Sequence, residues 1–156
     1  MEKNYSNYDL DNLDVQILSI LMEDASIPYT EIAKKLIVSG GTMHVRMKKM
    51  EELGIIKSSE LIINPQKVGF DITAFLGIYL EKGSQYSDAV KQLEGIKEVV
   101  ELHYCTGQYS MFAKIVCRDT AHLRKVLNED IQSLKGIQRT ETIISLEESI
   151  KRQITL

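Results

Sequence analysis

Three histidines and two cysteines are the whole supply of nucleophilic and soft metal-binding side chains here: His44, His103, His122, Cys105 and Cys117. His103 and Cys105 stand two apart in a strand-like stretch and so share a face. A cysteine beside an imidazole is the outline of an activated nucleophile. No third group stands ready to orient that imidazole, and residues so placed more often fill a core or an interface. The histidines have no metal-ligand spacing. There is no phosphate-cradling loop and no GxGxxG. The chain therefore reads as a non-enzyme, with no catalytic residue and no metal. The denser chemistry lies in Ile37 to Ile56, IVSGGTMHVRMKKMEELGII. From Ala33 to Met50 there are five basic residues and no acidic one. Between the apolar positions stand Thr42, His44, Val45, Arg46, Lys48 and Lys49, with Ser39 and Gly41 just ahead of them. Hydrogen-bonding and basic side chains on one helical face are what a DNA major groove accepts.

A helix must present that face. Met43, Met47, Met50 and Leu53 recur at the spacing of one buried helical stripe. Ser39 suits the N-cap and Gly54 the C-cap. Alone, the segment better suits an ordinary amphipathic helix with a solvated charged face, in which Arg46 pairs with Glu51. Its flanks favour DNA. Asp11 or Asn12 caps a helix with Leu13, Ile17, Leu18, Ile20 and Leu21 as its apolar side, and Asp14 suits its dipole. Pro28 starts a second helix, whose inward face is Ile32, Ala33 and Leu36. A short Ile37-Val38-Ser39 connection then makes a helix-turn-helix braced by the first helix.

The rest of the chain is of another kind. Ile55-Ile56 and Leu61-Ile62-Ile63 have strand character, and Asn64-Pro65 breaks it. An exposed strand there would be an edge open to a second chain. Strands are expected over 72–80, 99–105, 110–117 and 140–146, with helices over 86–93 and 120–134 and a turn at Thr106-Gly107-Gln108-Tyr109. That order is β-α-β-β-α-β, a ferredoxin-like plait with one face left for a partner. The expected fold class is α+β. A winged-helix-like helix-turn-helix domain occupies 1–56, a linker with a strand 57–70, and the βαββαβ domain for effector binding and oligomerisation 71–156.

Composition narrows the classes further. At 44% hydrophobic and 26% charged, the 156 residues suit globular domains rather than disorder. No apolar run is long enough to span a bilayer, so no membrane role is expected. The opening MEKNYSNYDLDNLD is acidic and polar, unlike a secretory signal. Two cysteines make no disulfide framework and fit a reducing cytoplasm. The net charge of −3 runs against a nucleic-acid binder, so any DNA binding depends on where the charges sit.

Taken together, a helix-turn-helix joined to a β-α-β-β-α-β module resembles the Lrp/AsnC, or feast/famine, family of amino-acid-responsive transcription regulators. The resemblance rests on LDNLDVQIL (10–18), EIAKKL (31–36), VSGGTMHVRMKKMEELGII (38–56), YCTGQYSMF (104–112) and GIQRTETII (136–144). Within the family, GTMHVRMKKM and TGQYSMFAKIVCR most resemble the asparagine-responsive branch. Ser110 stands where many members carry aspartate.

The resemblance implies a small amino acid, asparagine first, bound in clefts between neighbouring dimers. The implied walls are Thr106, Gly107, Gln108, Tyr109 and Ser110, and across from them Gln138, Thr140, Glu141 and Thr142. Gly107 lets the backbone approach closely, and free N–H groups of such a turn hold a carboxylate. Ser110 and Gln138 offer both donor and acceptor to an amide, and Glu141 offers a carboxylate to an α-amino group. Read by themselves, these residues better suit a plain hairpin turn, and the resemblance favours the ligand. The implied partners are double-stranded DNA, the amino acid and further copies of the chain. A dimer on a roughly palindromic site would associate further, to an octamer of four dimers. No cofactor beyond the effector is expected. The competing reading is an amino-acid-sensing interaction module with no DNA role, which would have no use for the acid-free basic run.

Overall fold

The computed structural model describes residues 9–156, so the first eight residues of the expected 1–56 unit lie outside it. The chain divides into two compact units, one drawn from Met1–Ile62 with Lys151–Leu156 and one from Ile63–Ile150. Each has its own core.

The helical unit starts at a reciprocal cap. Asp14 N–H donates to the Asp11 carboxylate at 2.9 Å, and Asp11 N–H donates back to Asp14 at 3.3 Å. This capping box satisfies two orphan donors of α1 (Asn12–Glu23) at once. α2 (Tyr29–Lys35) follows Pro28, and α3 (Gly40–Glu52) follows Ser39. Ser39 Oγ accepts from Thr42 N–H at 3.0 Å, as its cap position requires. Ile17, Ile32, Ala33, Met43, Met47 and Met50 close the core. Leu13, Ile20, Leu21 and Leu36 pack half-buried around it.

Both helices of the helix-turn-helix end in the same Schellman geometry. After α3, Gly54 takes φ +70°, Ile55 N–H reaches Met50 O, and Gly54 N–H reaches Glu51 O. After α2, Val38 N–H reaches Ala33 O and Ile37 N–H reaches Lys34 O. The left-handed position there is Ile37, at φ +56° and 94% exposed. A β-branched residue at positive φ is a genuine outlier.

The expected strand at Leu61-Ile62-Ile63 is not one. Residues 61–63 have no regular structure, and Leu61 is 90% exposed. A strand needs a ladder, and no described strand of this chain lies beside them. Ile55 and Ile56 are likewise drawn into the end of α3 rather than into a strand.

The second unit is a four-stranded antiparallel sheet in the order β2-β3-β1-β4, from β1 (Ile72–Leu80), β2 (Val99–Tyr104), β3 (Met111–Cys117) and β4 (Ile137–Ile144). α4 (Tyr86–Glu94) and α5 (Thr120–Lys125) cross over between strands, as the βαββαβ order requires. Ala74, Leu76, Ile78 and Leu80 of β1 join Met111, Ala113 and Ile115 of β3 and Leu93 and Leu123 of the helices in one core. The alternate residues face the other way and carry an aromatic row, with Phe75 and Phe112 stacked at 5.9 Å.

Two boundaries differ from the sequence reading by three residues or more. The expected 120–134 helix changes to a π-helical segment over Val126–Ile131, where Gln132 N–H reaches back five residues to Leu127 O. β4 starts at Ile137, three residues early, because a bulge at Tyr79/Leu80 lets Ile137 pair with Leu80 and enter the core. No helix among the described residues is long and apolar enough to cross a membrane.

Candidate DNA-reading face and effector turn

The residues put forward for DNA contact lie on α3 and at its cap, but they are not equally available. Met43, Met47 and Met50 are buried, so Gly41, His44, Val45, Lys48 and Lys49 are turned to solvent. Ser39 and Thr42 share a hydroxyl hydrogen bond of 2.8 Å within the cap. His44 lies edge-on to Tyr29 at 5.7 Å, and Lys48 stands 3.9 Å from Glu52. Val45 is 68% exposed.

Arg46 departs from its expected outward role, and Glu51 is not its partner either. Its Nη1 donates to Asp11 and to Asp14, both at 2.7 Å. Asp14 is fully buried. One guanidinium thus ties α3 to the capping box of α1, across 32 and 35 residues of chain. The physical reason is charge balance. A carboxylate taken out of water needs a cation and hydrogen bonds, and Arg46 supplies both. The Asp14 hydrogen bond, ahead of that to Asp11, holds the guanidinium still more firmly protonated than usual. The Asp14 N–H, and after it Arg46, keeps the Asp11 carboxyl below its ordinary value. Gly41, Thr42, Val45, Arg46 and Lys49 line an open groove of about 470 Å³ together with Asp9 and Asp11.

On the sheet, register decides what the turn can do. Gly107 takes φ +110°, the backbone that only glycine adopts freely. Thr106, Gly107 and Gln108 are exposed beside it. Ser110 N–H donates to Ile78 O at 3.0 Å, and its Oγ accepts from Leu80 N–H at 3.3 Å. On the other side of β1, Thr140 pairs with Ile78 and Ile137 with Leu80. Both proposed walls therefore meet at the Ile78–Leu80 end of β1. Thr140 Oγ1 accepts from Gln132 at the close of the π segment, at 3.1 Å. Gln138 and Thr142 are exposed.

Glu141 does not stand open to an α-amino group. Its carboxylate accepts from Tyr109 at 2.9 Å and from Tyr79 at 3.0 Å, and Arg139 stands 3.6 Å away. Those two hydroxyls, Tyr109 first, hold the Glu141 carboxyl pKa below its ordinary value, and the pKa of the Tyr109 phenol is correspondingly raised. Gln108 donates to the Tyr79 hydroxyl at 2.9 Å, and the Arg139 guanidinium lies over the Tyr79 ring at 3.9 Å. The Tyr109 ring lies directly on Gly77, where an added Cβ would come within 2.5 Å of it. Gly77, Tyr79 and Arg139 had no sequence signal of their own. They matter only because β1 and β4 pair as they do, setting Gly77 opposite Glu141 and Tyr79 opposite Arg139.

The nucleophile and metal options do not assemble. Cys105 Sγ lies 3.7 Å from the His103 carbonyl oxygen, while the His103 ring is turned to Glu101 at 3.8 Å. Cys117 is buried, and burial pushes its thiol up to about 11, away from reactivity. His122 accepts from Arg118 N–H and meets Glu98 at 3.1 Å. No three His, Cys, Asp or Glu among the described residues are grouped to hold a metal ion.

Known proteins match both units. Residues 10–57 match a winged helix-turn-helix DNA-binding family, and residues 73–155 match the Lrp/AsnC ligand binding domain. The chain belongs to the Lrp/AsnC family. It is 45% identical to the regulatory protein AsnC of Haemophilus influenzae over 147 residues, 94% of this chain and 98% of that one. It is 44% identical to AsnC of Escherichia coli K12 over 148 residues, 95% and 97% of the two chains. The solved structure of E. coli AsnC superposes with a TM-score of 0.90 at 42% identity, covering 96% of this chain and all of that one. A Neisseria meningitidis regulator solved with L-methionine shares the fold, with a TM-score of 0.85 at 21% identity over 95% and 96% of the chains. This Lrp/AsnC chain is a ligand-controlled, DNA-binding transcription regulator with an α+β fold. The basic run of α3 lies within its DNA-binding domain, which decides against an interaction module without DNA.

Proposed function

We propose that this regulator is governed by asparagine, bound at the Gly107 turn between neighbouring dimers. The carrying observation is the exposed turn at φ +110° beside the Ile78–Leu80 end of β1, where Ser110 and Thr140 converge from opposite sides. The effector carboxylate sits on N–H groups around Thr106, Gly107 and Gln108. The side-chain amide meets the Ser110 hydroxyl and Gln138, with Thr140 and Thr142 alongside. Tyr109 and Glu141 hold the turn in place. Two relatives named AsnC at 44–45% identity support asparagine over other amino acids, and the Neisseria complex supports the amino-acid class.

Copies of the chain pair through the face of the sheet that the helices leave open, where Phe75 and Phe112 stack. The unpaired Leu61–Ile63 segment takes a strand partner from another copy. Further association to an octamer completes the effector clefts. The outward face of α3, with Gly41, Thr42, His44, Val45, Lys48 and Lys49, enters the major groove, in the cytoplasm where the DNA is. The test is a thermal-shift screen of the full chain against the twenty amino acids, followed by calorimetric titration. Asparagine at about 100 times its dissociation constant should add roughly 2.7 kcal/mol. No heat and no stabilisation with asparagine overturns the proposal, and a response to another amino acid alone reassigns the effector.

A further inference from the structure

With Arg46 committed to Asp11 and Asp14, the charged residue best suited to guanine is withdrawn from the reading face. Besides Arg46, α3 lines the groove with Gly41, Thr42, Val45 and Lys49, and of these Gly41 and Val45, four residues apart, are the two without a polar side chain. Neither is explained by the fold of this chain. Val45 is 68% exposed, so its side chain buries little in this chain, and β-branched residues are indifferent helix formers. Gly41 has no positive φ, and a Cβ there would meet only Ser39 Oγ at 3.7 Å, an ordinary contact. Alanine would fit and would favour the helix, yet glycine stands there. Both residues line the same groove.

A duplex explains both. Residues in the first turns of a recognition helix come closest to the base edges. An absent side chain at Gly41 lets the helix enter deeper, and Val45 follows one turn later. The one apolar group on a base edge in the major groove is the C5-methyl of thymine. We propose that Val45 reads a thymine methyl in each half-site, with Gly41 clearing its approach, so that this helix takes part of its specificity from apolar contact. The inference rests on α3 being the helix that enters the groove.

The test uses the full-length chain and a duplex that it selects from random-sequence DNA. Each thymine of the selected half-site is replaced in turn by deoxyuridine, which lacks only the methyl. Burying one methyl corresponds to roughly a fourfold change in affinity. One position should therefore show a loss of about fourfold per half-site, and V45A should show a similar loss on the thymine duplex. On the deoxyuridine duplex V45A should bind as the wild type does, since the contact is already gone. V45T, of the same shape, keeps the fold and should retain one methyl contact. G41A should melt at a higher temperature than wild type yet bind every sequence more weakly. A selected site with no thymine position sensitive to deoxyuridine overturns the proposal. So does equal loss by V45A on both duplexes, and G41A binding as tightly as wild type overturns the clearance role. In parallel, K48A/K49A should flatten the salt dependence. If it changes neither affinity nor salt slope, α3 does not face the DNA and the reading beneath the inference fails instead.

Discussion

Arg46→Ala should first cost this protein its helical unit and only then its DNA. The guanidinium donates to a fully buried carboxylate at 2.7 Å. A hydrogen bond to a charged group contributes about 1.5–3 kcal/mol, and removing one partner of a buried pair costs more because the other charge is stranded. Asp14 keeps one bond from Asp11 N–H, and Arg46 is itself a quarter exposed, so the full buried-pair cost does not apply. The expected loss is about 2–4 kcal/mol. A unit of about 45 residues at roughly 0.05–0.15 kcal/mol per residue holds only about 2–7 kcal/mol in all. Roughly a third of its stability or more therefore hangs on this contact.

Urea unfolding followed by circular dichroism should show an early transition moving to lower denaturant in Arg46→Ala, while the sheet unit, with its own core, unfolds where it did. Pairing the variant with Asp14→Asn in a double-mutant cycle should return a coupling above about 1 kcal/mol. Acid adds a check on sign. The Asp11 carboxyl is lowered in the native state, so its contribution is present above its ordinary value of 3.8 and is lost as pH falls through the lowered native value. The wild type should thus lose stability below about pH 4, and the variant should lose less there. An unchanged first transition, with a selective loss of specific DNA binding, would refute the reasoning and return Arg46 to base readout.

Two further substitutions test local geometry. Ile37→Gly should raise the helical unit's stability by about 1 kcal/mol, because the left-handed position costs an L-residue about 1–2 kcal/mol and glycine gives back about 0.5–1 in the unfolded chain; a lower melting temperature would contradict this. Gly77→Ala should destabilise the sheet unit by about 1–3 kcal/mol by driving a Cβ into the Tyr109 ring, and adding Tyr109→Ala should remove that penalty; a penalty that persists in the double variant would place the strain elsewhere.

Much of the fold was legible because burial writes itself into period. The methionine stripe of α3 and the β1 alternation each repeat at the spacing of their element, and Ser39, Gly54 and Asp11 mark ends by local chemistry alone. What failed needed information from elsewhere in the chain. Residues Leu61–Ile63 carry β-forming side chains, but a strand is a property of a pair. The three-residue shift of β4 depends on a bulge in its partner, which no pattern within 137–146 records. Ile37 occupies a glycine's position, so residue type pointed away from the turn that is there.

The site was legible as a set of residues and less so as a set of roles. Arg46 lies in the acid-free run from Ala33 to Met50, and sequence chemistry assigns an arginine there to DNA. Its partners are Asp11 and Asp14, already visible as the start of a helix, and a buried acid at that cap creates the demand that Arg46 meets. The same holds at the sheet. Glu141 had a plausible ligand, yet two tyrosine hydroxyls satisfy it first, and one belongs to the residue that Gly77 makes room for. In both units a charged residue expected to meet a ligand is instead bonded within its own unit. Arg46 sets the end of α1 against α3, and Glu141 sets Tyr109 at the end of the Gly107 turn. The groups we propose to touch DNA or effector are the exposed ones beside them, Gly41 and Val45 in one unit and Thr106 to Gln108 in the other. Their exposure, rather than their reactivity, is the physical mark that singles these positions out.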